Sequence, residues 1–486
     1  MLFNSFPFFI FFFIVFFVYF LPVVRSRVKL QNLWLLLTSY FFYGYADIAM
    51  IPLLLATTVV FYIMGLWLKS TMQKGKEKAA YWISTLGVCL GIGVLLYFKY
   101  LGFFAESFAL LFNKMGLGVS WSTLNIVMPI GVSFFTFKLI SYIIEIHREH
   151  IEPCKDFVEF ATFVAFFPTI LSGPIDRPNK FLPQLAKNRV FDGATAIDGA
   201  RQFLWGLFTK LCIADSLATI TDSAWANMDD SSASTLLLSA IIYPLQLYAD
   251  FDGYSNMAIG VGKILNIKVA RNFNHPFLAR NIAEFWRGWH MSLTGWLTDY
   301  VFAPLNIAFR NLENLGIIFA IVINFILIGF WHGANWTYAL FGLYQGLLYI
   351  PLILSGGFGK RKKLRPAANG LPFRTDVYKM IGTYALVALG LVIFRAPSMS
   401  AAFQFIGGWF STSLLSAPQF LNVKVLIAIA FALMLLVLEW VQRDKEYSSQ
   451  NNTLNLGKMI MIDIFLMALI VFLGAFGGNQ FIYFQF

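Results

Sequence analysis

Long apolar runs separated by short polar segments are the dominant pattern of this chain. The first run, Phe6 to Val24, has no positive residue ahead of it and has Arg25, Arg27 and Lys29 directly after it. This charge order is the reverse of that in a cleaved signal peptide. We therefore expect a retained membrane span whose N-terminus lies outside.

Many of the later runs are long enough to cross a bilayer, because about 20 helical residues cross a hydrocarbon core about 30 Å thick. Further spans are predicted near residues 48–68, 80–98, 123–146, 157–172, 200–220, 233–249, 314–331, 336–354, 378–394, 422–440 and 457–476. The pattern predicts an all-α polytopic membrane protein with about 11 to 12 transmembrane helices.

Other apolar stretches are too short or too interrupted to cross. They are Leu33 to Ala46, Leu101 to Phe112, Met257 to Ile267 and Ala283 to Phe302, and we expect re-entrant or interfacial helices there. Irregular backbone at membrane depth needs protein or a water-filled cavity around it, so residues 250–300 are predicted to form a cavity wall. No segment is long enough for a soluble domain. We predict one membrane domain, residues 1–486, with a catalytic core at 250–346.

The composition excludes the soluble classes. The 486 residues are 58% hydrophobic, 18% aromatic and only 13% charged, which is more apolar surface than a water-facing fold buries. The net charge of +11 comes from short bursts between apolar runs, so no basic surface large enough for nucleic acid is expected. Basic loops on the cytoplasmic side explain the charge better; the best examples are Lys69 to Lys78, Lys360 to Arg365 and Arg443 to Lys445.

His332 is the first candidate for chemistry. It follows an apolar run, Ile317 to Trp331, whose only polar residue is Asn324, and Gly333 and Asn335 after it predict the end of a helix. Burial at membrane depth favours the neutral imidazole, which is the form that a general base needs. The alternative is a core histidine bonded to a backbone carbonyl.

His290 is the second candidate. It lies on a segment that is interpreted as one amphipathic helix, on which Glu284, Arg287 and His290 follow one another at i, i+3 spacing. The alternative is an interfacial helix with a snorkelling arginine. No metal site is predicted, because neither His290 nor His332 has an obvious set of further ligands nearby.

Ordered motifs along nearly the whole chain resemble one known family. They include Pro129-Ile130-Gly131, Ser172-Gly173-Pro174, Asp250-Phe251-Asp252-Gly253-Tyr254, Asn272-Phe273-Asn274-His275-Pro276, Glu284-Phe285-Trp286-Arg287-Gly288-Trp289-His290, Trp331-His332-Gly333-Ala334-Asn335-Trp336 and the ending Phe481 to Phe486. This set is similar to the membrane-bound O-acyltransferases, in their bacterial alginate O-acetyltransferase branch. Small departures from the family pattern occur at Asp252, Asn256 and Gly288.

The resemblance implies a ring of helices around a central funnel, with His332 as the catalytic histidine and His290 as the second characteristic polar position. Acyl transfer from a thioester needs a base for the alcohol and donors for the oxyanion. Trp331, Asn335 or His290 are the expected donors. The other expected substrate-binding residues are Arg287, Glu284, Asp250 and Tyr254.

The implied activity is transfer of an acyl group, in the first instance acetyl, from cytoplasmic acetyl-CoA across a bacterial inner membrane for O-acetylation of an exported polysaccharide. Acetyl-CoA is then a donor substrate, and no bound cofactor is expected. One alternative is the same scaffold acting on another envelope polymer, by peptidoglycan acetylation or teichoic acid D-alanylation. Another is a non-enzymatic transporter in which His332 relays protons.

A separate protein partner is expected as well. An exported polysaccharide is bulky, and the chain shows no second nucleophile motif outside the membrane. We therefore expect a separate extracytoplasmic, periplasmic acetyltransferase to take the acetyl group and pass it on. The aromatic ending Phe481 to Phe486 is either its docking element or a membrane-interface belt.

Overall fold

The computed structural model describes residues 1–118, 128–360, 364–450, 455–477 and 481–482. The regular structure in these ranges is helical throughout, without a β-strand, and short 3₁₀ and π-helical turns join several helices. The α-helices are α1 (Phe6–Phe20), α2 (Pro22–Arg25), α3 (Val28–Asp47), α4 (Ile51–Gln73), α5 (Glu77–Leu95), α6 (Leu101–Lys114), α7 (Val132–His147), α8 (Phe157–Ala165), α9 (Phe167–Ile170), α10 (Pro178–Leu185), α11 (Gly193–Phe208), α12 (Asp215–Ala226), α13 (Ala233–Ile264), α14 (Ile282–Gly288), α15 (Met291–Leu297), α16 (Ala303–Ala308), α17 (Glu313–His332), α18 (Trp336–Leu347), α19 (Ile350–Leu354), α20 (Arg374–Arg395), α21 (Met399–Gly407), α22 (Val423–Val441) and α23 (Leu456–Leu473).

The prediction of an all-α polytopic membrane protein is confirmed. In the described part of the chain, eight helical segments are long and apolar enough to cross a bilayer: Val28–Gln73, Glu77–Lys114, Gly193–Ala226, Arg310–His332, Trp336–Leu354, Arg374–Arg395, Val423–Val441 and Leu456–Leu473. The first of these segments contains two helices of 20 and 23 residues, each of them long enough for one crossing. The expected ring around a funnel stays a prediction.

Several predicted boundaries differ from the helices. The stretch Leu33 to Ala46 is not a short interfacial helix, because α3 extends it to 20 residues. The predicted span 157–172 is instead two helices of 9 and 4 residues, too short to cross. Of the predicted span 123–146, residues 123–127 lie outside the described ranges, as do 361–363 of one basic loop and 478–480 and 483–486 near the chain's end.

The chain forms two compact units. The first contains residues 1–200 and 258–270, and the second contains residues 201–257 and 271–486.

In the first unit, the fully buried Lys138 stabilises the end of α8. Its ammonium donates to the carbonyl of Phe163, at 3.2 Å, and to the Thr169 hydroxyl, at 2.9 Å. Carbonyls at a helix end need such donors because no further turn supplies them.

The second unit contains the helix pair that carries His332. Helices α17 and α18 approach closely because glycines face the opposite backbone: a Cβ at Gly342 would overlap the carbonyl oxygen of Phe325, and one at Gly329 would overlap that of Tyr338. Such small residues let two helix backbones pack in contact. The α17–α18 pair therefore holds the end of α17 in a fixed place.

Candidate active site

His332 is the last residue of α17, as the predicted helix end required. Its side chain is buried, with 4% of its surface exposed. The imidazole makes edge contacts with the indole of Trp331 and the ring of Phe394, both at 5.0 Å between ring centroids. His332 therefore lies among aromatic side chains at the end of a helix long enough to span the membrane.

His290 lies in a break of the chain, which contradicts the interpretation of Ala283 to Phe302 as one helix. Helix α14 ends at Gly288 and α15 begins at Met291. His290 between them has the left-handed backbone angles φ 44° and ψ 50°. The prediction that Glu284, Arg287 and His290 lie on one side of a single helix is therefore wrong.

The structure nevertheless brings His290 close to His332. The Trp331 indole contacts the His290 imidazole at 5.5 Å and the His332 imidazole at 5.0 Å, between ring centroids. The ring of Phe251 packs against His290 at 4.7 Å. Two buried histidines thus share one tryptophan, which is the centre of the candidate active site.

Burial also sets the charge of His290. Desolvation lowers the pKa of this imidazole from its ordinary 6.5 to about 3, so the ring is neutral at physiological pH. A neutral ring offers one N–H donor and one acceptor nitrogen. Both functions are useful beside a reacting carbonyl group.

We expect this low pKa to make folding pH-dependent. Between pH 3 and 6.5 the unfolded state binds about one proton more at His290 than the folded state does. The free energy of unfolding therefore decreases as the pH falls below 6.5. At pH 5 the loss is about 2 kcal/mol. Thermal unfolding in detergent at pH 7 and pH 5 measures it: the drop in Tm should be smaller in the His290→Phe variant. Equal drops would show that His290 is protonated in the folded protein.

Glu284 and Arg287 do not form the pair that their spacing suggested. The Glu284 carboxylate binds Arg280, with Nη2–Oε1 at 2.8 Å and Nε–Oε2 at 3.0 Å. Arg287 is half-buried, and within the described ranges no carboxylate lies at ion-pair distance from it. The i, i+3 spacing therefore does not pair Glu284 with Arg287, and Glu284 binds Arg280 instead.

Asp250 and Tyr254 belong to a different cluster. The buried ammonium of Lys210 lies 2.5 Å from the Asp250 carboxylate and 2.7 Å from that of Asp215. Asp250 also accepts the backbone N–H of Ile482, at 2.8 Å. The ring of Phe481 lies against Tyr254 at 4.8 Å and under the Lys210 ammonium at 4.4 Å. This Lys210 cluster anchors residues 481–482 to α13.

The sequence contains a signal for this cluster that motif similarity does not reveal. Lys210 and Asp215 are charged residues inside the predicted span 200–220, where an uncompensated charge is costly. Each charge there requires a partner. Asp250, which directly follows the predicted span 233–249, is a candidate for that partner. The spacing of 40 residues between Lys210 and Asp250 concealed the pairing.

We expect Asp250→Asn to act on stability rather than on substrate affinity. Asparagine removes one of the two carboxylates that face the buried Lys210 ammonium, while Asp215 stays 2.7 Å from it. The expected loss in the free energy of unfolding is about 1.5–3 kcal/mol, the contribution of a hydrogen bond between charged groups. The Tm in detergent should fall strongly, whereas Asp222→Asn, at an exposed pair with Arg395, should cost about 0–1 kcal/mol. An unchanged Tm with a raised KM would instead place Asp250 in the substrate site.

Asn335 has a structural task beside His332. Its side-chain oxygen accepts the N–H of Thr337 at 3.0 Å, so Asn335 caps the N-terminus of helix α18. Its amide nitrogen donates to the carbonyl of Pro397, also at 3.0 Å. Asn335 therefore links the start of α18 to the segment that follows α20.

The described ranges contain no group of three or more histidine, cysteine or acidic side chains arranged to hold a metal ion. The chemistry that these residues support is proton transfer and hydrogen bonding in a site poor in water. The side chains of this kind that the structure brings together are His290, Trp331 and His332.

Comparison with known proteins gives a consistent result. Residues 39–358 match the sequence model of the membrane-bound O-acyltransferase family. The chain is 35% identical to a probable alginate O-acetylase of Azotobacter vinelandii, over 85% of this chain and 78% of that protein. It is 28% identical to a peptidoglycan O-acetyltransferase of Helicobacter pylori, over 100% and 98% of the two chains. It is also 30% identical to a teichoic acid D-alanyltransferase of Bacillus subtilis, over 56% and 69%.

Proposed function

Because the chain belongs to the membrane-bound O-acyltransferase family, we propose that it moves acetyl groups from cytoplasmic acetyl-CoA across the bacterial inner membrane for O-acetylation of an extracytoplasmic polysaccharide. The family makes it a multi-pass O-acyltransferase. The observation that carries the rest is the burial of His332 beside Trp331, with His290 on the same indole. The catalytic region is residues 250–346.

In this proposal His332 is the general base. Its neutral imidazole takes the proton of the acceptor hydroxyl while the hydroxyl oxygen attacks the thioester carbonyl carbon. A C–O bond forms, the C–S bond breaks, and the proton leaves with the sulfur as a thiol. The Trp331 indole and the His290 imidazole are placed to donate to the oxyanion in between. Aromatic walls around His332 exclude the water that would hydrolyse the thioester.

Arg287 is the proposed contact for the anionic part of the donor. We expect Arg287→Ala to raise the KM for acetyl-CoA about 10-fold to 100-fold, since a charged hydrogen bond contributes about 1.5–3 kcal/mol, and to change kcat less. Initial rates over a range of acetyl-CoA concentrations measure both constants. Arg310→Ala, at an exposed arginine, is the matched control. An unchanged KM would restrict Arg287 to a structural role.

The acyl group and the acceptor are tested together. Membranes containing the protein are incubated with labelled acetyl-CoA or with a labelled D-alanyl thioester, and with alginate, peptidoglycan or teichoic acid. The proposal predicts label from acetyl-CoA on a polysaccharide acceptor. Label transferred only from the D-alanyl thioester to teichoic acid would establish the alternative activity, for which the similarity to a D-alanyltransferase is the argument. Import of intact acetyl-CoA without transfer would indicate a transporter.

A separate extracytoplasmic acetyltransferase is the proposed partner. It would take the acetyl group on its own hydroxyl and pass it to the sugar, because a hydrated polymer cannot enter a site enclosed by aromatic side chains. Reconstituted protein is assayed with and without the soluble envelope proteins of the source cell. Transfer that requires those proteins supports the relay. Efficient acetylation of the polymer by the purified chain alone would refute it.

A further inference from the structure

The backbone conformation at His290 needs an explanation. Its left-handed φ of 44° is unfavourable for a residue with a side chain, by about 1–2 kcal/mol. Such a conformation persists only when surrounding contacts enforce it. The contacts that enforce it therefore also determine where the imidazole lies.

Backbone hydrogen bonds hold the chain on both sides of His290. The N–H of Met291 donates to the carbonyl of Asn272 at 2.7 Å, and the carbonyl of Gly288 accepts the N–H of Asn274 at 2.9 Å. Gly288 permits this approach, because a Cβ there would lie 2.7 Å from the Asn274 carbonyl oxygen. Residues 272–274 thus form a brace along the break between α14 and α15.

The Asn272 side chain adds a connection that the backbone does not make. Its oxygen accepts the hydroxyl of Ser292 at 2.6 Å, and its nitrogen donates to the hydroxyl of Ser255 at 3.0 Å. Asn272 is fully buried. One amide therefore ties the first turn of α15 to helix α13.

Both elements border His290, because Phe251 of α13 contacts its imidazole and α15 begins at the next residue. Ser255 lies four residues after Phe251 on α13, so both face the same side of that helix, and the ring of Phe251 contacts the His290 imidazole. Ser292 lies two residues after His290. A change in the distance between Ser255 and Ser292 would therefore shift His290 relative to Phe251 and Trp331.

We propose that Asn272 is a positioning residue for catalysis, whose amide sets the distance between α13 and α15 and so holds His290 against Trp331. This inference rests on the proposed function, in that His290 takes part in acyl transfer. Asn272 touches no reacting atom. Its effect reaches the reaction through the placement of the His290 ring.

The expected effect is on turnover. A misplacement of about 1 Å in a catalytic group costs about 10²-fold in rate. Loss of the Asn272 amide is expected to displace the His290 ring by about 1 Å or less. We expect Asn272→Ala to lower kcat about 10-fold to 100-fold while the KM for acetyl-CoA changes less than threefold. Asn272→Asp keeps an oxygen for Ser292, and its carboxyl group, held neutral by burial, can donate to Ser255 as the amide does, so more activity should return than in the alanine variant.

A double-mutant cycle separates positioning from general stability. Rates are measured for Asn272→Ala, for His290→Ala and for the double variant, with Asn227→Ala as a control asparagine in an exposed helix end. If Asn272 acts through His290, the double variant is no slower than His290→Ala alone. Losses that multiply would overturn the inference and make Asn272 a purely structural residue.

The same cycle distinguishes a failure of the positioning role of Asn272 from a failure of the proposed function. A normal rate for His290→Ala would remove His290 from the proposed function. A low rate for His290→Ala with a normal rate for Asn272→Ala would leave the proposed function intact and overturn the positioning role. If Asn272→Ala does not fold, Ser292→Ala removes only one of the two side-chain contacts. It should lower kcat about 3-fold to 10-fold, and an unchanged kcat would contradict the inference.

Discussion

Replacing His332 with alanine is expected to lower acyl transfer about 10²–10⁴-fold while the protein still inserts into the membrane. The reason is that the variant loses the base that deprotonates the acceptor hydroxyl, whereas the α17–α18 packing depends on glycines further along both helices. Transfer of label from acetyl-CoA into polymer measures the loss. His150→Ala, which replaces a histidine with 58% of its side chain exposed, should retain full activity.

Packing must be separated from chemistry in this experiment. The His332 ring contacts Phe394 and Trp331, so alanine leaves a cavity. His332→Gln fills more of that space without providing a base, and it should be as inactive as the alanine variant. Activity in either variant within about threefold of the parent protein would exclude His332 as the base.

Replacing His290 is expected to have the second largest effect, a loss of about 10²–10³-fold in kcat, the usual result of removing one oxyanion donor. His290→Phe keeps an aromatic ring between Phe251 and Trp331 and removes both ring nitrogens. The phenylalanine variant should therefore be as slow as His290→Ala if the nitrogens carry the effect. Rates in the two variants, at saturating acetyl-CoA, decide this.

A different result would change the assignment. If His290→Phe keeps its rate and His290→Ala loses it, His290 fills space beside Trp331 and donates no hydrogen bond. The oxyanion would then depend on the indole N–H of Trp331. Trp331→Phe, which removes that N–H and keeps a ring, would in that case show the 10²-fold to 10³-fold loss.

The position of His332 could be predicted because its signals are local. An apolar run of spanning length, followed by Gly333 and Asn335, predicts a helix that ends at the histidine, and α17 ends there. Asn335 then begins α18, as a residue of its type does. Neither observation needs information from a distant part of the chain.

The environment of His290 could not be predicted in the same way. Trp289, Leu293 and Trp296 have helical spacing, and that periodicity favoured a continuous helix. The break arises from bonds between residues 288–292 and the segment 272–274, which are tertiary contacts. Tertiary contacts override local helix preference, and the periodicity of a sequence does not reveal which tertiary contacts form.

The same reason applies to Asp250 and to the span predicted at 157–172. Asp250 pairs with Lys210, and Lys138 supports the broken end of α8 from another helix. Motif similarity marked Asp250 as important without indicating whether it binds substrate or holds the chain. A buried charge is explained only when its partner is known.

Acyl transfer across the membrane, with His332 as the general base, can be measured in inverted membrane vesicles. These vesicles present the cytoplasmic face outward and enclose the envelope polymer with the soluble envelope proteins. Labelled acetyl-CoA is added outside, and the label on the enclosed polymer is measured for the parent protein and for His332→Gln. Label should appear on the enclosed polymer with the parent protein and should not rise above background with His332→Gln. Equal labelling with both proteins, or labelling that requires acetyl-CoA inside the vesicles, would contradict the proposed function.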